Sequence, residues 1–396
     1  MVLSMNIKYR RAYKLVYYLG SSTIVLILFL VLYKTPRATI WLEITFPPPA
    51  PSTVTSLPTT RAQTPSKKVS SPHRRFAIFS SSIHSQLRSY IFYTPITAAA
   101  WQRLGYGVIV VFTGDFTNRS NASLSPQLAL SRAFLQRLGA YTLDFQCDSS
   151  YSTKMSQIVR IFGGFLSDTI VNDTDYILTT DSDIIPIEPS NYEIADHTDG
   201  FIYNALCCGS FQRHNRTYDM YPMSHICLRK RMWRDMFMES DQRKALLNGS
   251  CPSLNTTLLS AQAPFSFETA SAYTRCEFGS LYDSSMNKGD AAWYMDQVYS
   301  SMLINDYCRN HSTVNIDKRQ KKSKRLDPGL PSMMWNMPFF STFGDAHLIH
   351  DEIFDSYRFA PFRKFLKFLF NSSLAGEFEF YYKKFLSTLN DLPQDN

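Results

Sequence analysis

The chain has 396 residues, of which 44% are hydrophobic and 14% aromatic, which excludes whole-chain disorder and is enough for a sizeable core in one or two domains. A mean hydropathy of −0.19 excludes a multi-span membrane protein. The net charge is +8, but residues 1–14 and 318–325 hold ten of the basic side chains, so the slightly acidic remainder does not indicate a nucleic-acid-binding face.

Residues 15–33 are the first predicted element, an uncharged stretch of 19 residues rich in Leu, Ile and Val. A helix of this length spans about 28 Å, or about one bilayer core. The segment Tyr33–Arg37 that follows is a poor cleavage site, which favours a retained signal-anchor over a cleaved signal peptide. Because four basic residues precede the span, we expect residues 1–14 to be a cytoplasmic tail and the remainder to be lumenal.

Residues 34–75 form the next predicted segment, with eight prolines among many Ser and Thr residues. This composition cannot build a core, so we expect a disordered stem that carries a lumenal domain at 76–396. The layout is typical of single-pass type II membrane proteins of the Golgi apparatus.

Two further features agree with a lumenal domain. Eight Asn-X-Ser/Thr sequons follow the anchor, at Asn118, Asn121, Asn172, Asn215, Asn248, Asn255, Asn310 and Asn371. All seven cysteines also follow it, which in an oxidising compartment predicts up to three disulfides and one odd thiol. We do not expect the adjacent Cys207 and Cys208 to pair with each other.

Strand and helix patterns then alternate along the chain. The predicted strands cover 76–79, 107–112, 140–145 and 176–180, and the predicted helices cover 85–104, 126–138 and 152–166. This alternation predicts an α/β fold with a doubly wound, mainly parallel sheet that helices cover on both faces. The basic stretch 318–325 is expected to be a mobile, solvated loop.

An acidic motif surrounds the fourth predicted strand. Asp173 and Asp175 precede the strand, and we interpret them as turn and cap residues. Asp181 and Asp183 follow it, at the end of the strand where open α/β sheets bind ligands. Two carboxylates at this spacing can hold one divalent cation, which in turn neutralises a departing diphosphate.

The run Tyr176–Pro186, with its Asp181-Ser-Asp183 triplet, resembles the DxD strand of GT-A-fold glycosyltransferases, many of them type II Golgi enzymes. The resemblance does not resolve a specific family. It implies a sheet of GT-A type, a nucleotide-sugar donor (usually a UDP-sugar) and Mn²⁺ or another divalent cation. Asp181 and Asp183 would then contact the metal and the ribose.

The same resemblance extends to two later segments. Residues 293–303 are similar to an Asp-Gln-containing helix in which Asp296 would contact the donor sugar or, in an inverting enzyme, act as the base. Residues 344–351 contain His347 and His350, one of which would be the third metal ligand, with His347 preferred because it follows Gly344.

Two basic residues precede the acidic strand. Lys154 and Arg160 lie on the predicted helix 152–166, from which either side chain could reach a diphosphate.

The predicted function is metal-dependent transfer of a sugar from a nucleotide-sugar to a hydroxyl group of a glycan, protein or lipid acceptor in the secretory pathway. One alternative is a catalytically inactive lumenal binding protein that keeps the fold. Another is a nucleotidyl- or phosphotransferase that uses the same acidic strand. The donor sugar, the acceptor, retention or inversion, and homo-oligomerisation stay open.

Overall fold

The computed structural model describes residues 73–117, 125–251, 263–320 and 324–390. The chain divides into two units after residue 68, and every described residue belongs to the second unit. The predicted tail, the anchor and nearly all of the stem therefore lie outside the described residues. In the part that is described, no helix has both the length and the apolar character needed to cross a bilayer.

The strands of the described residues are short, mostly of four to eight residues. They are β1 Arg75–Ser82, β2 Gly107–Gly114, β3 Tyr141–Gln146, β4 Tyr176–Thr179, β5 Ile184–Pro186, β6 Gly200–Tyr203, β7 Ser210–Arg213, β8 Arg216–Asp219, β9 Ile226–Arg229, β10 Ile316–Arg319, β11 Lys324–Leu326 and β12 Phe343–His347.

The helices pack on and beside these strands. They are α1 Ser89–Arg103, α2 Ser125–Arg137, α3 Ser149–Ile158, α4 Lys230–Met238, α5 Asp241–Leu247, α6 Phe267–Phe278, α7 Ser280–Asp283, α8 Met295–Asn310, α9 Met337–Phe340, α10 Ser356–Leu369 and α11 Ser372–Asn390. A 3₁₀ segment, Val159–Phe165, continues directly from α3.

Within the described residues, seven strands form the large sheet in the order β10-β6-β9-β4-β1-β2-β3. Only β9 runs antiparallel to its neighbours β4 and β6, and the other pairs in this sheet are parallel. The predicted mainly parallel α/β sheet is confirmed.

Both faces of the sheet are covered, as the continuous apolar strands predict. Ile78 and Ile109 pack with α3 residues on one face. Phe79 and Val110 pack with Trp101 of α1 on the other face. The side chains alternate along β1 and β2 because successive strand residues point to opposite faces.

Two predicted helices differ from the observed ones at an end. The helix expected from residue 85 begins at Ser89, because the Asp351 carboxylate accepts hydrogen bonds from the Arg88 and Ser89 N–H groups and caps it from a distant part of the chain. The helix expected at 152–166 turns into the 3₁₀ segment after Ile158. Gly164 in that segment lies so close to the Arg234 backbone that a Cβ atom would lie 2.3 Å from the Arg234 nitrogen.

The expectation that Cys207 and Cys208 do not pair was wrong, and of the cysteines that the structure describes three thiols rather than one are free, whereas two disulfides are within the predicted maximum of three. Among the described residues, Cys207 is bonded to its neighbour Cys208, and Cys251 is bonded to Cys276. Cys147, Cys227 and Cys308 are free thiols. The adjacent pair forms where the chain leaves β6 in a turn, a local geometry that cysteine spacing does not reveal.

The basic stretch 318–325 is not simply a loop. Lys318 and Arg319 end β10, and Lys324 and Arg325 begin β11. Arg325 pairs with the fully buried Asp345 at 2.8 Å, which ties this part of the chain to β12. Positions 321–323 of the stretch lie outside the described residues.

Candidate active site

The carboxyl ends of β1, β2, β4, β6 and β10 meet at one edge of the large sheet. Asp181 and Asp183 follow β4 at this edge. The loop that carries them is fixed on both sides: the Thr180 N–H donates to the Ile78 carbonyl at 3.0 Å, and the Thr97 hydroxyl donates to the Ser182 carbonyl at 2.5 Å. The acidic pair therefore lies after the carboxyl end of β4, as the sequence predicts, and this is the end of the strands at which open α/β sheets bind ligands.

A second, smaller sheet brings His347 to the same place. Strand β5 follows Asp183 directly and pairs antiparallel with β12, so that His347 lies opposite Ile184. The Leu348 N–H donates to the Asp183 carbonyl at 2.9 Å. These contacts explain why two segments 164 residues apart in sequence form one site.

His347 lies between two carboxylates. Its Nε2 is 3.2 Å from Asp183 Oδ2, and its Nδ1 is 3.6 Å from Asp327 Oδ1. Burial lowers the pKa of His347, but the hydrogen bonds to Asp183 and Asp327 outweigh burial and raise the pKa to about 10. The two carboxylates thus favour the cationic imidazole, and a metal ion would bind the Nε2 atom of His347 only in exchange for its proton.

Asp181 belongs to a different network, centred on the buried guanidinium of Arg160. Arg160 Nη1 donates to the Asp181 carboxylate and to the Thr180 carbonyl, and its Nη2 donates to Asp296 Oδ2 at 2.8 Å. Arg160 and Asp296 are each only 7% exposed at the side chain, whereas Asp181 is 32% exposed. One guanidinium therefore connects the solvent-facing Asp181 to a carboxylate inside the protein.

The pKa values of the two carboxylates in this network, Asp181 and Asp296, are shifted in opposite directions. Burial raises the pKa of Asp181, but Arg160 outweighs it and the net pKa is lowered. Burial also raises the pKa of Asp296. There the effect of burial is larger than the opposing effect of Arg160, so the net pKa is raised. Arg160 therefore favours the ionised form of Asp181, whereas burial favours the protonated form of Asp296.

The side chains at this edge fit a divalent cation by their chemistry. Carboxylate oxygens and imidazole nitrogens are donors that Mn²⁺-like ions accept, and Asp181, Asp183 and His347 supply them. His350 Nδ1 is buried without a hydrogen-bond partner among the described residues and offers a further nitrogen. In this part of the chain, no group of three or more His, Cys, Asp or Glu side chains is already placed to hold a metal ion.

The two basic residues predicted to contact a diphosphate have other partners. The Lys154 ammonium donates to the carbonyls of Tyr282 and Ser284, and so ties α3 to α7. Arg160 lies between Asp181 and Asp296, as described. Neither arrangement supports a direct diphosphate contact.

The acidic residues before β4 have the structural roles predicted for them. Asp175 accepts hydrogen bonds from the Arg74 N–H at 3.1 Å and from the Arg74 guanidinium at 2.7 Å. Asp173 forms a two-pronged ion pair with Arg234. Both lie at the amino end of the strand, opposite the candidate site.

Two residues at the site could not be predicted from the sequence. Asp327 reaches His347 because β11 pairs with β12, and no motif marks this aspartate. Tyr90, in the first turn of α1, packs edge-on against His350 at 5.5 Å between ring centres. Burial, together with the charges of Asp183 and Asp181, raises the pKa of Tyr90, which keeps its hydroxyl as a donor.

The comparisons with known proteins are sparse. No protein-family model and no curated protein sequence matches the chain. Among solved structures, a crystal structure of the glycosyltransferase GlyE from Streptococcus pneumoniae TIGR4 matches 64% of this chain and 68% of its own, with 10% identity and a TM-score of 0.25. A TM-score this low does not establish a shared fold, so the proposed function rests on the site itself.

Proposed function

We propose that the domain transfers a sugar from a nucleotide-sugar donor, usually a UDP-sugar, to an acceptor hydroxyl group, with a divalent cation such as Mn²⁺ at the carboxylate edge. The observation that carries this proposal is the position of Asp183. It follows the buried parallel strand β4 and directly precedes β5, and the β5–β12 pairing holds His347 against it. An Asp-X-Asp triplet and an imidazole are thereby brought together at the carboxyl end of β4.

The residues have distinct roles in this proposal. Asp183 and His347 would hold the cation, together with Asp181 once it turns from Arg160, and His350 would supply a further nitrogen. The cation would neutralise the negative charge that develops on the leaving diphosphate. The Thr97 and Leu348 contacts keep the acidic loop in place and limit reorganisation during the reaction.

Asp296 is better suited to hold Arg160, and through it Asp181, than to act as a base. Its Oδ1 accepts from the Gln297 N–H at 2.7 Å, and its Oδ2 accepts from Arg160. Because both oxygens already accept hydrogen bonds and the side chain is nearly buried, a proton on an acceptor hydroxyl has no free access to it.

The test is release of nucleoside diphosphate. We expect the purified protein to release UDP from a UDP-sugar, alone by hydrolysis or faster with acceptor, in the presence of Mn²⁺. Activity should fall to background with a chelator and return when Mn²⁺ is added in excess. A thermal-shift panel of nucleotide-sugars would select the donor for this assay.

The same assay separates the alternatives. Release of the nucleoside monophosphate in place of the diphosphate would indicate a phosphotransferase that transfers the sugar phosphate, and release of the sugar 1-phosphate would indicate a nucleotidyltransferase. A thermal shift with a nucleotide-sugar but no turnover with any acceptor or with water would indicate a binding protein that keeps the fold.

We also propose a lumenal location in the Golgi for this domain. The asparagines of the five described sequons, Asn172, Asn215, Asn248, Asn310 and Asn371, are all exposed and so accessible for glycosylation. Protein made in animal cells should lose apparent mass on treatment with an N-glycosidase, and substitution of all five asparagines by glutamine should reduce that loss. An unchanged mass after treatment would contradict a lumenal domain.

A further inference from the structure

One cleft of the described residues lies away from the carboxylate edge. It has a volume of about 570 Å³ and lies between α4, α5, α8 and the β7–β8 hairpin. This volume is within the range of about 300–1,000 Å³ that is typical of ligand pockets. Asp306, on its wall, lies ten residues after Asp296 on α8, which places the cleft about 15 Å along the helix from the candidate active site.

The floor of the cleft is apolar. Met236 of α4 and Met302 and Leu303 of α8 are almost fully buried and line it from below. The Cys251–Cys276 disulfide closes one side. Such a floor can pack against the C–H face of a ligand.

The walls carry charges that are already paired within the protein. Glu277, only 1% exposed at the side chain, accepts from Arg213 and from His214. Asp306 pairs with Arg216 at 3.3 Å, and its second oxygen accepts from the Tyr218 hydroxyl at 3.2 Å.

The charged residues at the rim of the cleft are also paired within the protein. Asp241 pairs with Lys244 at 2.9 Å, and Glu239 pairs with His311 at 2.6 Å. A surface of internally paired charges offers many hydrogen-bond donors and acceptors without a strong net field. It therefore does not favour a phosphate, a nucleotide or a strongly charged peptide.

We propose that this cleft binds a neutral glycan. Sugars combine an apolar C–H face with a rim of hydroxyl groups, which matches an apolar floor inside a polar wall. The half-buried ring of Tyr307, which packs against His311 at 4.2 Å between ring centres, lies at the edge of the cleft, where a sugar ring can contact it.

The glycan could come from two sources. One is a separate oligosaccharide, such as an acceptor. The other is a glycan attached to the chain itself, because Asn310 lines the cleft and heads an Asn-His-Ser sequon. The chemistry of the site is the same in both cases, and the test distinguishes them.

The test uses the full chain in detergent with three neutral probes: triacetylchitotriose, mannotriose and maltotriose. Binding is measured by saturation-transfer NMR and by titration for the wild-type protein and Asn310→Gln, both made in animal cells. Binding of a probe by both proteins supports a site for a separate glycan. Binding by Asn310→Gln alone supports occupation by the chain's own glycan.

Ala245→Trp fills the cleft from α5, and Ala360→Trp on the exposed face of α10 is its matched control. Both are made in the Asn310→Gln background. We expect the first to weaken probe binding at least about tenfold, a loss of about 1.4 kcal/mol, and the second to leave it unchanged. Tyr307→Ala is the second cleft variant, in case the tryptophan disturbs folding.

Donor hydrolysis should be the same in all these variants, so failure of the cleft proposal is distinguishable from failure of the proposed transfer. The glycan proposal is overturned if no probe binds either the wild-type protein or Asn310→Gln. It is also overturned if Ala245→Trp and Tyr307→Ala both bind the probes as tightly as Ala360→Trp does.

Discussion

Replacing Asp181 with asparagine should lower the rate of donor hydrolysis or transfer by about 10²–10³-fold at saturating Mn²⁺. The substitution keeps the size of the side chain but removes one charged ligand of the proposed cation, and with it part of the charge that stabilises the leaving diphosphate. An electrostatic contact of this kind contributes about 3–4 kcal/mol to the transition state. Rates of diphosphate release in the wild-type and variant proteins measure the effect.

The same substitution should also cost some stability. Arg160 lowers the pKa of Asp181, so the ionised carboxylate stabilises the folded protein above its unfolded-state pKa, and this contribution is lost as pH falls through the lowered pKa. Asparagine removes it at every pH. Because Arg160 keeps Asp296 and the Thr180 carbonyl as partners, the loss should be limited to about 1–2 kcal/mol in urea unfolding.

Asp175→Asn is the matched control, since Asp175 lies at the other end of the same strand. It loses the ion pair with Arg74 and should cost about 1–3 kcal/mol of stability while leaving the rate near that of the wild-type protein. Equal rates for Asp181→Asn and wild type would reject the role assigned to Asp181. A larger loss of rate in Asp175→Asn than in Asp181→Asn would do the same.

The parallel half of the large sheet could be predicted from sequence because its signals are local. Strands such as Gly107–Gly114 are continuous apolar runs, and each is bounded by a glycine or a polar turn. The antiparallel strand β9 could not be predicted in this way. It has four residues, and its pairing with β4 depends on contacts between residues about fifty positions apart, for which no local pattern exists.

The residues of the candidate site show the same difference between local signals and contacts over long sequence distances. Asp181 and Asp183 were found because the strand before them is recognisable and the carboxyl end of a strand is a ligand position. Their partners were found only by residue type. His347 and Asp296 were candidates from motif similarity, but the sequence does not show that one contacts Asp183 and the other is bound to Arg160.

Arg160 shows why the chemical role of a residue is harder to predict than its position. A basic residue before an acidic strand suggests an anion contact with a ligand. The structure instead places Arg160 between two aspartates of the protein, one of them 136 residues away. A buried guanidinium has five N–H donors, and the chain itself accepts four hydrogen bonds from that of Arg160.

Arg160→Met should be the most destabilising of the substitutions at this site. It keeps the length and apolar stem of the side chain but leaves Asp296 nearly buried without its cationic partner. Removing one member of a buried ion pair costs about 3–5 kcal/mol because the remaining charge is uncompensated. Urea unfolding at pH 7 measures the loss, and Arg160→Lys is the matched control that keeps the charge but cannot donate to both carboxylates in the same way.

Two measurements show whether the unpaired Asp296 carboxylate causes this loss of stability. One is the dependence of the loss on pH, and the other is the effect of a second substitution at Asp296. Burial raises the pKa of Asp296, and removing Arg160 should raise it further, so the folded variant binds a proton more readily than the unfolded chain does. The stability of Arg160→Met should therefore fall as pH rises between the unfolded-state pKa, about 3.9, and the raised pKa in the folded protein. Lowering the pH from 7 to 5 should recover part of the loss, and the double variant Arg160→Met with Asp296→Asn should be more stable at pH 7 than Arg160→Met alone. The interpretation is contradicted if the double variant is no more stable than Arg160→Met and the loss of stability is the same at pH 7 and pH 5. In that case Arg160 does not hold Asp296 in its charged form, and it does not connect Asp181 to the protein interior in this way.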